Sequence, residues 1–151
     1  MQLDANCVVA YYLSRFTVAS ESGRTSKPPK SLGVSKWDDA FMLFFPRLRN
    51  GRCASKYRNS LKNRRETVDP FFPGNRVGWY QKAPPANIQL VIDTLNDKTE
   101  EQILSMIEPF MCHQTTKFSL VELDSALDHE KIPCLCCIRR YGKELPDTID
   151  I

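Results

Sequence analysis

Apolar positions recur along most of this chain at the 3- and 4-residue spacing of amphipathic helices. Val8, Val9, Tyr12, Leu13 and Phe16 share one face behind a cap at Asp4 or Asn6, which predicts a first helix over residues 4–16. From Thr17 to Ser31 the pattern lapses into Ser, Thr, Gly, Lys and a Pro28-Pro29 pair, a loop with almost nothing to bury. A second helix is expected to open after Ser35, with Asp38 and Asp39 in its first turn, and to end near Pro46 or Leu48. Arg49-Asn50-Gly51-Arg52 has the composition of a turn that takes positive φ. The third helix then starts at Ala54 or Ser55 and runs to Val68, where Asp69-Pro70 stops it.

Residues 71–80 are aromatic and rich in turn formers, the pattern of a small hairpin or wing rather than a helix. Beyond the Pro84-Pro85 linker, Ile88, Val91, Ile92 and Leu95, then Ile103, Leu104 and Ile107, mark two further amphipathic helices, expected over Ile88 to Leu95 and Glu100 to Phe110. Phe118 to Leu127 reads as a helix or a strand-helix transition, and the last residues read as frayed. The expected fold class is therefore mainly α, a helix-turn-helix-like domain with a small β-hairpin and additional C-terminal helices. Residues 1–82 form the first unit, and residues 83–151 an acidic helical extension packed on it.

Charge sharpens this division. The chain has 151 residues and a net charge of +3, yet residues 1–92 carry 15 Lys/Arg against 6 Asp/Glu, and residues 93–151 carry 6 against 12. The halves are +9 and −6, a split that fits a surface for a polyanion beside an acidic outer face. No apolar run reaches the roughly 18 residues of a membrane span, and Met1-Gln2-Leu3-Asp4 lacks the basic and long apolar regions of an export signal, so neither export nor membrane spanning is expected. Six unevenly spaced cysteines do not make the framework of a small secreted domain, so reduced thiols and a cytoplasmic location are expected.

The densest charge lies between Arg47 and Arg65, where eight Lys/Arg residues occur without one carboxylate. Wound as a helix, Tyr57, Leu61 and Val68 form a narrow apolar stripe, while Ser55, Lys56, Arg58, Asn59, Lys62 and Asn63 spread over the other side. Cations neutralise phosphates, and asparagine amides pair with the N6/N7 edge of adenine. The preceding helix and Gly-containing turn give the order of a helix-turn-helix, with residues 55–68 as the recognition helix. Arg47, Arg49 and Arg52 would then meet phosphates, and Asn59, Lys62 and Asn63 base edges, with Arg58 serving either. Arg65, Arg76 and Trp79 complete the candidate nucleic-acid-binding set. The plainer alternative is a positive, solvated helix without a ligand.

Four segments together resemble a known module: Ala10 to Phe16 (AYYLSRF), Leu32 to Phe41 (LGVSKWDDAF), Arg58 to Asp69 (RNSLKNRRETVD) and Arg76 to Trp79 (RVGW). They resemble the helical region at the start of some prokaryotic restriction-type endonucleases, including proteins with an HNH nuclease part. The resemblance covers about residues 8–82. It implies DNA recognition, or an accessory role in restriction-modification or phage defence. With only His113 and His129, the chain holds no HNH constellation, so any cleavage would belong to another chain, such as a nuclease partner, or be absent.

Other chemistry is weakly marked. Cys134, Cys136 and Cys137, with His129, Cys112 and His113, could be arranged as a zinc site, but free thiols are the expected state, and neither metal nor cofactor is assigned. Asp124, Asp128 and Glu130 read as a solvated acidic face, and Glu66, Asp69 and Lys82 leave a metal-dependent nuclease of the carboxylate-lysine type as the least supported reading, since their spacing carries no special signal. Trp37, Phe41, Phe44 and Phe45 read as core, with Trp79-Tyr80 the better candidate to stack on a base. The expected function is binding of nucleic acid, duplex DNA above RNA, with no catalytic residues. The rival is a protein-interaction inhibitor or adaptor, of phage origin for example, that lays the basic helix on an acidic partner.

Overall fold

The computed structural model describes residues 1–20, 25–72, 83–113 and 147–151. Among them the fold is mainly helical, as the hydrophobic spacing predicts, with two small antiparallel strand pairs.

Helix α1 (Ala5–Arg15) is the centre of the packing. Asp4 caps it by accepting the Cys7 N–H at 3.0 Å, and every residue from Ala5 to Ser14 is buried. Burial all round, rather than on one face, marks a helix surrounded by others. Helix α4 (Ala54–Val68) covers one side of it, and α5 (Ala86–Leu95) and α6 (Glu100–Ile107) pack on it as well. The polar side chains of α1 caught inside, Asn6 and Ser14, are hydrogen-bonded, as low-dielectric burial demands. Asn6 donates to the Leu48 carbonyl at 3.2 Å and accepts the Tyr57 hydroxyl at 2.8 Å, while Ser14 donates to Asp69 at 2.6 Å.

The expected single helix through residues 37–48 is two. Helix α2 (Trp37–Met42) ends before Pro46, and α3 (Phe45–Leu48) begins with that proline in its first turn. Proline has no N–H to give the preceding turn but suits the start of a helix, so here it divides rather than terminates. The N-cap is Lys36 rather than Ser35, and it makes no side-chain cap. The following turn matches its composition, with Asn50 at φ 49° and Gly51 at φ 77°.

Two segments correct the expectation of loose ends. The stretch read as an empty loop contains β2 (Val18–Ala19) paired with β3 (Ser26–Lys27), then two buried prolines and a 3-10 turn over Lys30–Leu32. The Trp37 indole N–H fastens it by donating to the Ser26 carbonyl at 3.1 Å, and Ser31 and Tyr12 both donate to Glu100 of α6. The last residues are not frayed, since β4 (Thr148–Asp150) pairs with β1 (Gln2–Asp4), bringing Ile149 opposite Leu3. Of the hairpin expected near residues 71–81, only Phe71, in a 3-10 turn over Asp69–Phe71, and Phe72 are described. The rest of it, and the element expected over residues 118–127, lie outside the described residues.

The two later helices follow their pattern closely. Thr99 and Gln102 close a capping box at the start of α6, with both reciprocal bonds made, at 3.2 and 2.9 Å. No helix among the described residues is long and apolar enough to cross a membrane.

Candidate nucleic-acid interface

Helix α4 exists because of its spacing. Ala54, Tyr57, Leu61, Arg65 and Val68 recur every three or four residues and are all buried, forming the stripe that seats the helix on α1 and α2. The opposite side is left to solvent. Ser55, Lys56, Asn59 and Asn63 are exposed and Lys62 is partly so. The structure therefore brings five of the expected contact residues onto one outward strip. The first carboxylate of the helix, Glu66, comes only in its last turn.

Arg65 does not belong to this strip. Only 3% of it is exposed, and its guanidinium carbon lies 3.7 Å from the centroid of the Trp37 ring and 5.7 Å from that of Phe41. Arg65 falls four residues after Leu61 and three before Val68, which places it on the apolar stripe. A guanidinium is planar and weakly hydrated for a cation, so it can occupy such a position against aromatic faces. Trp37 is correspondingly engaged from inside and is no platform for a base.

Two further cations of the run are partly neutralised by carboxylates from elsewhere in the chain. Arg58 Nε donates to Asp38 of α2 at 2.9 Å, and Arg64 Nη1 donates to Asp4 at 3.2 Å, on the same oxygen that caps α1. A run without carboxylates along the chain is thus flanked by them in space. The strip between the flanks keeps Lys56 and Lys62 clear of any ion pair among the described residues. Arg58 also donates through Nη1 to Asn59 Oδ1 at 3.0 Å, so that Asp38, Arg58 and Asn59 form one hydrogen-bonded chain.

At the start of α4 the positive charge intensifies. Cys53 is its N-cap and offers no side-chain cap, no acidic residue lies in the first turn, and Arg47, Arg49 and Arg52 precede it, each partly exposed. Cations at the positive end of a helix dipole are unfavourable by about 0.3–1 kcal/mol each, unless an anion is present. Arg49 leans on the Phe45 ring, 5.9 Å from its centroid.

Arg76 and Trp79 lie outside the described residues, as do Lys82, His129, Cys134, Cys136, Cys137 and the acidic group Asp124, Asp128 and Glu130. Asp69 is buried and accepts from Ser14, facing the core rather than a metal. Cys112 is buried, and His113 beside it is exposed. No group of His, Cys, Asp and Glu among the described residues could hold a metal ion. Burial, and next the Asp4 carboxylate, push the Cys7 thiol up to about 12, which keeps it protonated and unreactive at neutral pH. What the sequence reading missed is the pair of neutralising carboxylates, Asp38 and Asp4. Asp38 was legible only as a residue for the helix dipole, because its partner lies on a different helix. No family model, no curated protein and no solved structure matches the chain.

Proposed function

We propose that this chain binds nucleic acid, duplex DNA first of all, through the outward strip of α4 and the arginines before it. The observation that supports this is the strip itself: Ser55, Lys56, Asn59, Lys62 and Asn63 turned to solvent by a helix whose apolar side is fully seated. Lysines there neutralise phosphates, and amides at one-turn spacing can meet successive base edges. Arg47, Arg49 and Arg52 precede a helix start whose N-cap, Cys53, makes no side-chain cap and whose first turn holds no acid, a place where phosphate oxygens are favoured by charge and dipole together. The corrected contact set omits Arg65. The resemblance of residues 8–82 to the opening module of restriction-type endonucleases supports the same reading, and extends it to a cytoplasmic role in restriction or phage defence.

Titration of a labelled duplex at several salt concentrations tests the proposal. Phosphate contacts give a double-logarithmic slope of about 0.9 per neutralised phosphate. Lys56→Ala with Lys62→Ala removes two cations from the strip and is expected to flatten the slope by about 2 while leaving the fold intact. Affinity and slope unchanged by that pair would show that α4 is not the contact element. Salt-dependent capture of an acidic protein surface, with no duplex binding, would favour the adaptor instead.

A further inference from the structure

The chain Asp38–Arg58–Asn59 gives the strip a polarity that side-chain identity alone does not. Asp38 Oδ1 accepts from Arg58 Nε at 2.9 Å, which fixes the plane of the guanidinium. The same guanidinium donates from Nη1 to Asn59 Oδ1 at 3.0 Å. The carbonyl end of the Asn59 amide is therefore engaged by a cation, and its NH2 end remains to meet a ligand. Asn59 itself is exposed, on the side of α4 opposite the buried stripe.

An asparagine with both ends available reads adenine by accepting from N6 and donating to N7. Here the accepting end has a positive guanidinium against it, where the partly positive N6 amino group of adenine would have to approach. Guanine presents two acceptors on the same edge, O6 and N7. They are attracted both to the Asn59 NH2 and to the guanidinium beside it, and Lys62, one turn further along, adds a third donor of the same kind. At Asn59 the strip therefore presents donors, and these suit an edge made of acceptors.

We infer that Asp38, Arg58 and Asn59 act as one preset unit that reads the acceptor edge of guanine in the major groove. Asn59 makes the contact, and Asp38 is a positioning residue that acts through Arg58. This inference rests on the proposal that α4 binds duplex DNA. It adds the base that is preferred, and the reason for the preference.

Selection of the full chain on a pool of duplexes with a randomised core tests it, with the wild type beside Asp38→Asn, Asp39→Asn and Asn59→Ala. The wild type is expected to enrich guanine at a defined position, and Asn59→Ala to lose about tenfold of that enrichment. Asp38→Asn is expected to lose a comparable part of it while binding the whole pool more tightly, with a salt slope steeper by up to about 0.9, because a neutral amide oxygen holds the guanidinium far less firmly than a carboxylate and leaves its charge to the phosphates. A merely structural aspartate would weaken binding or leave it alone, and would not exchange discrimination for strength. Asp39→Asn is the control, since it removes a charge from the same helical turn without touching the chain. Enrichment of adenine at the position governed by Asn59, retention of guanine by Asp38→Asn, or an equal loss with Asp39→Asn would each overturn the inference while leaving duplex binding in place. Absence of any salt-dependent duplex binding would instead remove the proposed function, and this inference with it.

Discussion

Arg65 holds a permanent charge at a site 3% exposed, with its guanidinium 3.7 Å from the Trp37 centroid. Stacking of this kind, out of water, is worth about 2 kcal/mol, and the aliphatic stem adds ordinary packing. Arg65→Ala is therefore expected to lower folding stability by roughly 2–4 kcal/mol, read as a shift of the denaturant midpoint. Duplex affinity measured under folding conditions should stay near the wild-type value. A variant of wild-type stability with weakened binding would return Arg65 to the contact surface. Its place was open to inspection in the spacing, since residues 57, 61, 65 and 68 form one unbroken stripe. Charge obscured it, because an arginine in a basic run reads as solvated. By contrast, the exposure of Lys56, Asn59 and Asn63 follows from position alone, as all three oppose that stripe.

Helix α4 carries a conflict at its start that a substitution can separate into its parts. Cys53 has the extended backbone of an N-cap, φ −71° and ψ 167°, but no side-chain oxygen with which to cap. Aspartate there would accept an N–H of the first turn and oppose the charge of Arg49 and Arg52. Cys53→Asp is expected to raise stability by about 1 kcal/mol and, in the same protein, to weaken duplex binding by repelling phosphate. Thermal unfolding and a binding titration check the two signs. Gains in both would mean that no phosphate approaches this end. The bounds of α4 and α5 were legible to within a residue or two, because prolines and apolar periodicity agree with one another there. Helix α6 starts where expected but gives way at Ile107 to a 3-10 turn over Glu108–Phe110, with Pro109 in it, instead of running on to Phe110. The division of α2 from α3 was less legible. Pro46 marks a boundary, but whether a proline ends one helix or begins the next is decided by the backbone around it. The hairpin β2–β3 escaped notice because strands of two residues are too short to show an alternating pattern. Its buried Pro28 and Pro29 read locally as loop punctuation.

Across the whole molecule, what escaped the sequence is contact between distant positions. Leu3 and Ile149 lie opposite each other in β1 and β4, and Ala5 of α1 donates its N–H to the Asp147 carbonyl at 2.8 Å. A two-stranded pair has little stability of its own, so this one depends on burying Leu3 and Ile149 against the helices, where they are 1% and 8% exposed. Ile149→Ala removes about half of that apolar contact and is expected to cost about 2 kcal/mol, seen as a lowered unfolding midpoint and faster hydrogen exchange at β1. The effect has a defined route inward. Asp4, the last residue of β1, caps α1 and receives Arg64 of α4 through one oxygen, so loosening the strands reaches first the flank of α4 that lies away from Arg58. The strip of Lys56, Asn59, Lys62 and Asn63 is held instead by Tyr57, Leu61 and Val68, which seat α4 on α1 and α2. Duplex affinity of the folded Ile149→Ala protein should therefore match the wild type. A loss as large as that from the Lys56 and Lys62 pair would mean that the joined termini form part of the contact surface, and that α4 acts only together with them.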